Sequence, residues 1–261
     1  WDAHVKNASW KSELIRLVLT RDFPSVNLSD TRVILLEAAD RLLAHMSPDL
    51  SAATAEALQR KQVEVRFGAA VADFDGQQVR LKSGELLPAR TLIWAAGVRA
   101  AQIVDTLGVA QGSQGRVTVQ PTLQLPDHPE VFVLGDAALL TDAAGRPLPM
   151  VAPVAMQQAQ TVARNIQALL EHTPLQTSQY RDPGSLATIG RNQAVAQLGR
   201  LKFRGFTAWL VWLLVHLMQL VSFRSRLLVL INWAWDYFFY DRAVRLIVPE
   251  ARRDDTPGGR P

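Results

Sequence analysis

Apolar and polar positions fall in blocks along the chain, and the period of the pattern changes from block to block. RVILLE (32–37) is a short, nearly continuous apolar run, as expected of a strand buried on both faces of a parallel sheet. Ser47-Pro48-Asp49 then opens a helix predicted to run to about Lys61. Serine suits the cap, proline fits the first turn, and aspartate suits the positive end of the helix dipole. VEVRFG (63–68) is the next strand. Asp75-Gly76 and Ser83-Gly84 are turn signals between alternating runs, so 69–96 reads as a β-meander. Its last and most apolar strand is TLIWAAG (91–97). RVTVQ (116–120) and EVFVLGD (130–136) read as two more strands, and a long helix is predicted from Ala152 to about Glu171. The order β-α-β, meander, β-α predicts a doubly wound α/β fold. No internal repeat or low-complexity segment interrupts it.

After residue 200 the pattern changes. Trp209, Trp212, Trp233 and Trp235 are four of the seven tryptophans. Residues 205–223 carry no ionisable group except His216, and 227–235 carry none. The expected organisation is a soluble part before residue 200 and a membrane-seeking tail after it. As one helix, 206–223 is close to the length a bilayer requires, so a spanning helix and an in-plane helix both stay open. Trp233, Trp235, Tyr237 and Tyr240 suit the headgroup level. Asp241 and Arg245 are spaced to pair on the wet face. Arg204, Arg224 and Arg226 flank the apolar runs with no acid between 204 and 235, which favours anionic lipid. The preferred reading is a monotopic hairpin on the cytoplasmic leaflet.

Composition narrows the chemistry. At 48% hydrophobic and 20% charged, the 261-residue chain has ample material for a core and is not a disordered one. A net charge of +4 gives no reason to expect nucleic acid. With no cysteine there is no disulfide, thiolate metal site or redox-active dithiol, and no metal site is expected.

Two strand ends carry candidate chemistry. Glu37 closes the first clear strand, where a dinucleotide fold places an acid on the adenosine ribose; a glutamate there is also an ordinary loop residue. A carboxylate at that place favours NADH over its phosphorylated form. Gly135-Asp136 ends the 130–136 run: glycine admits a ligand closely and aspartate accepts hydrogen bonds from hydroxyls. No Gly-x-Gly-x-x-Gly loop precedes Glu37, because the first glycine is Gly68. If Glu37 is the ribose acid, its loop lies upstream of Trp1, and 11–22 is the end of the helix that followed that loop.

TLIWAAGVRA (91–100), VFVLGDAA (131–138), PMVAPVAMQQAQTVARNI (149–166) and SLATIGRNQAVA (185–196), in that order, together with the Trp-rich tail, resemble the type II NADH:quinone oxidoreductases. These are FAD-dependent flavoproteins of the pyridine nucleotide-disulfide oxidoreductase superfamily, built on two Rossmann-like dinucleotide-binding domains. The resemblance implies that Asp136, beside Gly135, binds the ribityl chain of FAD. It implies that Ala155 and Met156 lie against the flavin ring and Gln157 stands where quinone and nicotinamide meet it. Ala96 and Gly97 would lie where the two nucleotide domains meet, and Glu37 would hold NADH. The family usually carries glutamine where Pro153 stands, so Pro153 marks an altered quinone-side contact. The positive end of the helix beginning near Ala152 would stabilise the charge of the reduced ring by ~1–2 kcal/mol. Disulfide reductases and sulfide:quinone reductases use a cysteine pair; a direct path from NADH through FAD to quinone needs none.

The implied division is a partial NADH-binding domain over 1–112, the C-terminal part of an FAD-binding domain over 113–200, and a membrane-associated tail over 201–261. The expected function is NADH oxidation by membrane quinone, without proton pumping, at the cytoplasmic face of the inner membrane, with a homodimer compatible with the resemblance. Since both glycine loops of the family are missing, the chain is expected to be a C-terminal fragment or truncation that alone binds FAD poorly. The alternatives are a related FAD-dependent reductase with a protein acceptor, and a non-catalytic membrane-binding remnant.

Overall fold

The first predicted strand forms β1 (Val33–Leu36), and the predicted helix follows as α2 (Pro48–Arg60) after an N-terminal α1 (Ala3–Glu13). The computed structural model describes residues 3–13, 15, 31–220 and 222–239, in two units divided between Trp212 and Leu213. α2 returns the chain to β2 (Val63–Arg66), which pairs parallel with β1, Val33 opposite Val63 and Leu36 opposite Arg66. Its buried Leu50, Thr54, Ala57 and Leu58 recur at helical spacing. Asp49 lies in the first turn and Arg60 in the last, as the dipole favours. Ser47 has the extended backbone of a cap, but its hydroxyl makes no capping bond; its carbonyl accepts from Leu50 and Ser51 instead.

The meander forms β3 (Val71–Phe74), β4 (Gln78–Leu81) and β5 (Leu86–Pro88) in antiparallel order. The Asp75 carboxylate accepts the backbone N–H of Gln77 and Gln78 at 2.8 and 2.7 Å, which builds the first turn. Those same donors hold its pKa below the ordinary carboxylate value. The expected last strand, 91–97, does not form a strand: it pairs with none of the described residues, and Ile93 and Trp94 are exposed. An apolar run becomes a strand only where its N–H and C=O groups find a ladder.

The chain then crosses into a second core, where Ala100, Val104, Val117, Leu123, Val133 and Ala138 meet Val162. Here β6 (Val117–Thr118) and β7 (Ala138–Leu139) pair parallel. The expected strand over 130–136 is mostly irregular: Phe132 makes a single bridge to Gln124, and Gly135–Ala137 is one 3-10 turn. The long predicted helix is α3 (Ala152–Leu170).

A three-stranded antiparallel sheet of β8 (Ser185–Thr188), β9 (Ala194–Leu198) and β10 (Leu201–Arg204) was not among the predicted elements. Although grouped by sequence with 113–184, this region supplies Ala187, Ile189 and Val195 to the same core as Val5, Leu42, Leu58 and Val63. α1 enters that core too: Ser9 Oγ donates to Ile189 O at 2.6 Å, and Glu13 pairs with Lys61.

The tail forms α4 (Gly205–Met218) and α5 (Phe223–Phe239). A single helix over 206–223 does not form, and no helix among the described residues is long and apolar enough to cross a membrane. Fourteen residues rise about 21 Å, well short of a ~30 Å hydrocarbon core. Arg226 donates from Nε to Leu220 O and from Nη2 to Met218 O, both at 3.0 Å, so a cation closes the negative end of α4. Ser222 Oγ accepts the Ser225 N–H at 3.1 Å and caps α5. Asp241 and Arg245 lie outside the described residues.

Candidate active site

The start of α3 and the turn at Gly135 are brought together. Gly135 has φ +66°, and a Cβ built there would stand 3.3 Å from the Ala155 Cβ. Its N–H donates to Gln158 Oε1 at 2.6 Å, and Gln158 is buried. One turn of α3 therefore packs against the turn with Ala155 and anchors it with Gln158. Asp136 follows in the 3-10 turn, exposed, and its carboxylate makes no hydrogen bond or ion pair among the described residues.

The N-terminus of α3 faces this turn with its positive end uncompensated from within. Val151 is the extended N-cap residue, with no side-chain capping bond, and the first turn contains no acid. Val154 and Ala155 N–H both turn back to Val151 O, at 3.0 and 3.3 Å. Pro153 sits in the first turn, where its missing N–H costs nothing, and is half-buried. Arg116, itself buried, donates from Nη1 to Leu148 O at 2.9 Å and fixes the approach to the helix.

Further along α3, two amides bind a strap over residues 173–183. Gln157 donates from Nε2 to Arg181 O and accepts the Arg181 N–H at Oε1, both at 2.9 Å. Asn165 is fully buried; it donates to Gln176 O at 2.9 Å and Thr122 O at 3.1 Å and accepts the Gln176 N–H at 2.8 Å. The amide of Gln157, expected at the ring, is thus engaged with the strap. Within the strap, burial first and the Asp182 charge second raise the Tyr180 pKa. Met156, between Ala155 and Gln157, is 61% exposed.

The other expected site residues lie elsewhere. Glu37, at the end of β1, accepts the Ala39 N–H at Oε1 (2.8 Å) while its backbone pairs with Arg66 and Ala69. Ala96 and Gly97 lie in the unpaired 91–97 segment; Gly97 has φ +99° and open space on its Cβ side. Ala100 N then bonds Gln114 O at 2.9 Å, where the chain joins the second core. Gln158 and Asn165 were missed from sequence. The available signal was their place on the face of Val154 and Val162, where a polar residue must have a partner.

A parallel βαβ unit, a meander and a glycine turn held against a helix start place the chain among the Rossmann-like α/β folds. Comparison with known proteins agrees. The pyridine nucleotide-disulphide oxidoreductase model matches residues 21–159, and the NDH2 C-terminal domain model matches 183–241. The chain belongs to the pyridine nucleotide-disulphide oxidoreductase family, with a C-terminal domain of the NDH2 type. It is 36% identical over 243 residues to the type II NADH:quinone oxidoreductase Ndh of Mycobacterium tuberculosis, covering 88% of this chain and 51% of that protein. It is 30% identical over 177 residues to a type II NADH:quinone oxidoreductase of Haemophilus influenzae, covering 67% and 40%. The structure of NDH2 from Plasmodium falciparum in complex with NADH shares the fold, with TM-score 0.77 at 16% identity over 90% of this chain and 64% of that one. The chain spans about half the length of the curated relatives it matches.

Proposed function

We propose that this chain serves type II NADH:quinone oxidoreduction, holding one side of an FAD and docking on a membrane. The observation that carries the reading is the Gly135 turn, pressed against Ala155 and anchored by Gln158 at the uncapped start of α3. A larger residue at 135 would push the turn off Ala155, and Asp136 beside it is exposed with no partner among the described residues, so the residues present fit the cofactor. When bound, FAD would accept hydride from NADH and release two electrons to quinone.

The chain's own part is positional and electrostatic. The Asp136 carboxylate, exposed and without a partner among the described residues, is the candidate acceptor for the hydroxyls of the polyol chain. The positive end of α3 favours negative charge at Ala155 and Met156. Gln157 keeps the strap with Tyr180 beside that end of the helix. Glu37 is the candidate acceptor for the NADH ribose, and Ala96–Gly97 the junction between the nucleotide domains. α4 and α5 form the monotopic surface through which a long-tailed quinone arrives from the cytoplasmic leaflet. Phe206, Leu210, Leu214 and Met218 recur every fourth residue on α4, and each is roughly half exposed or more.

The test is a chimera in which this chain replaces the matched stretch of the Mycobacterium tuberculosis relative. It is expected to bind FAD and to oxidise NADH with a soluble quinone. A folded chimera that stays colourless, or one that is yellow but reduces only a protein acceptor, overturns the reading.

A further inference from the structure

α2 and β10 meet along a seam whose two ends differ. At one end Lys202 Nζ donates to the Asp49 carboxylate at 2.8 Å. Asp49, Ala53, Glu56 and Arg60 recur at helical spacing and form the α2 side of the seam. Lys202 and Arg204 share one face of β10. At the other end Arg204 has no ion-pair partner among the described residues, and Glu56, the one acid among the described residues lining the cavity there, is already 3.8 Å from Arg60. At this Arg204 end lies a cavity of about 420 Å³ bordered by Glu56, Arg60, Gln193 and Arg204, with Ile189 and Val195 in its floor. Gln193 Oε1 is buried and has no hydrogen-bond partner among the described residues.

We infer that this cavity binds the phosphodiester headgroup of an anionic phospholipid, an inference that rests on the membrane reading above. Two guanidinium groups and one carboxylate leave the site one charge positive, which suits a phosphodiester. The direction of the tail is set by the chain itself. Gly205, directly after Arg204, borders the cavity and begins α4. Phe206 and Leu210, on the first turns of that helix, are about half exposed and give acyl chains an apolar track. A soluble phosphate has no use for that track.

The experiment is vesicle co-sedimentation of the full chain, on phosphatidylcholine alone and on phosphatidylcholine with phosphatidylglycerol. Arg60→Gln and Arg204→Gln are each expected to weaken binding to the anionic vesicles about fivefold. Arg200→Gln, on the exposed β9–β10 turn, is expected to change it less than about twofold. Glu56→Gln removes the competing carboxylate and is expected to tighten binding about threefold. All four positions are solvent-facing, and circular dichroism checks the folds. Equal losses from the three arginine variants mean diffuse attraction and overturn the site. Equal binding to neutral and anionic vesicles overturns it as well. If inorganic phosphate titrates into the wild-type chain but not Arg204→Gln, and does so without competing with vesicles, the lipid source is wrong. Failure to bind vesicles of either kind removes the membrane reading instead.

Discussion

Gly135 concentrates two separate demands in one residue. Its φ of +66° lies in the left-handed region, where a side chain costs about 1–2 kcal/mol. Its Cβ side faces Ala155 at 3.3 Å, which leaves no room for branching. Gly135→Val is therefore expected to destabilise the fold by about 2–4 kcal/mol, summing backbone strain and overpacking, as read from the urea midpoint. Gln158→Leu isolates one part of this, because it keeps the volume and removes the acceptor for Gly135 N–H. A loss of about 1–2 kcal/mol is expected. A neutral Gln158→Leu would mean that the turn holds its shape without the helix. In the chimera, Asp136→Ala is expected to weaken FAD retention with little change in the melting temperature, since Asp136 is exposed and has no partner among the described residues.

Elements are held to one another here by a few polar contacts whose strengths differ predictably. The Lys202 hydrogen bond, first among several causes, lowers the Asp49 pKa from the ordinary 3.8 to about 2. A depressed carboxyl favours the folded state fully above its unfolded value and loses that contribution as pH falls through the folded one. The melting-temperature advantage of wild type over Asp49→Asn is thus expected in full at about pH 6, largely lost by about pH 2 and gone below it. An advantage that persists in acid would exclude the α2–β10 ion pair as its source. On α3, Asn165→Ala leaves the Gln176 N–H and two carbonyls without partners in a buried place, and about 2–3 kcal/mol is expected to be lost. Gln157→Ala acts at an exposed contact. Its expected effect is local: faster hydrogen exchange at the Arg181 amide with global stability nearly unchanged. These contacts also mark how far sequence reasoning reaches. β1, α2, β2, the meander and α3 were legible because their periodicity and turn residues are local properties. The runs at 91–97 and 130–136 carry the same apolar signal, but a strand needs a neighbour, and apolarity does not say whether one stands there. β8 to β10 are only four or five residues long, and their sheet is defined by packing on Leu58 and Val63 far away in sequence. Gly135 and Ala155 were legible as a pair through the family motif, whereas Gln158 and Asn165 were hidden because glutamine and asparagine on a helix look solvent-facing until their partners are known.

At the scale of the whole molecule, the question is where the α/β fold stops and the proposed membrane-docking part starts. Composition placed that boundary near residue 200. Packing places it later. Ala208 is fully buried against Ala194 and Ala196, with Trp209 and Val211 beside it, so the first two turns of α4 complete the β8–β10 sheet. The contact division between Trp212 and Leu213 agrees. Removing 201–261 would strip β10, break the Lys202–Asp49 pair and expose Ala194 and Ala196, so lost membrane binding could then follow from unfolding. Removing 213–261 avoids this. That truncation is expected to keep a cooperative thermal transition near that of the full chain while leaving the vesicle pellet, because Leu214, Met218 and the exposed face of α5 go with it. The headgroup cavity at Arg60 and Arg204 stays in the truncated chain, so weak residual binding to anionic vesicles, abolished by Arg204→Gln, is also expected. A truncated chain that binds neutral vesicles as tightly as the full chain would move the membrane surface off α4 and α5 and onto the α/β unit itself.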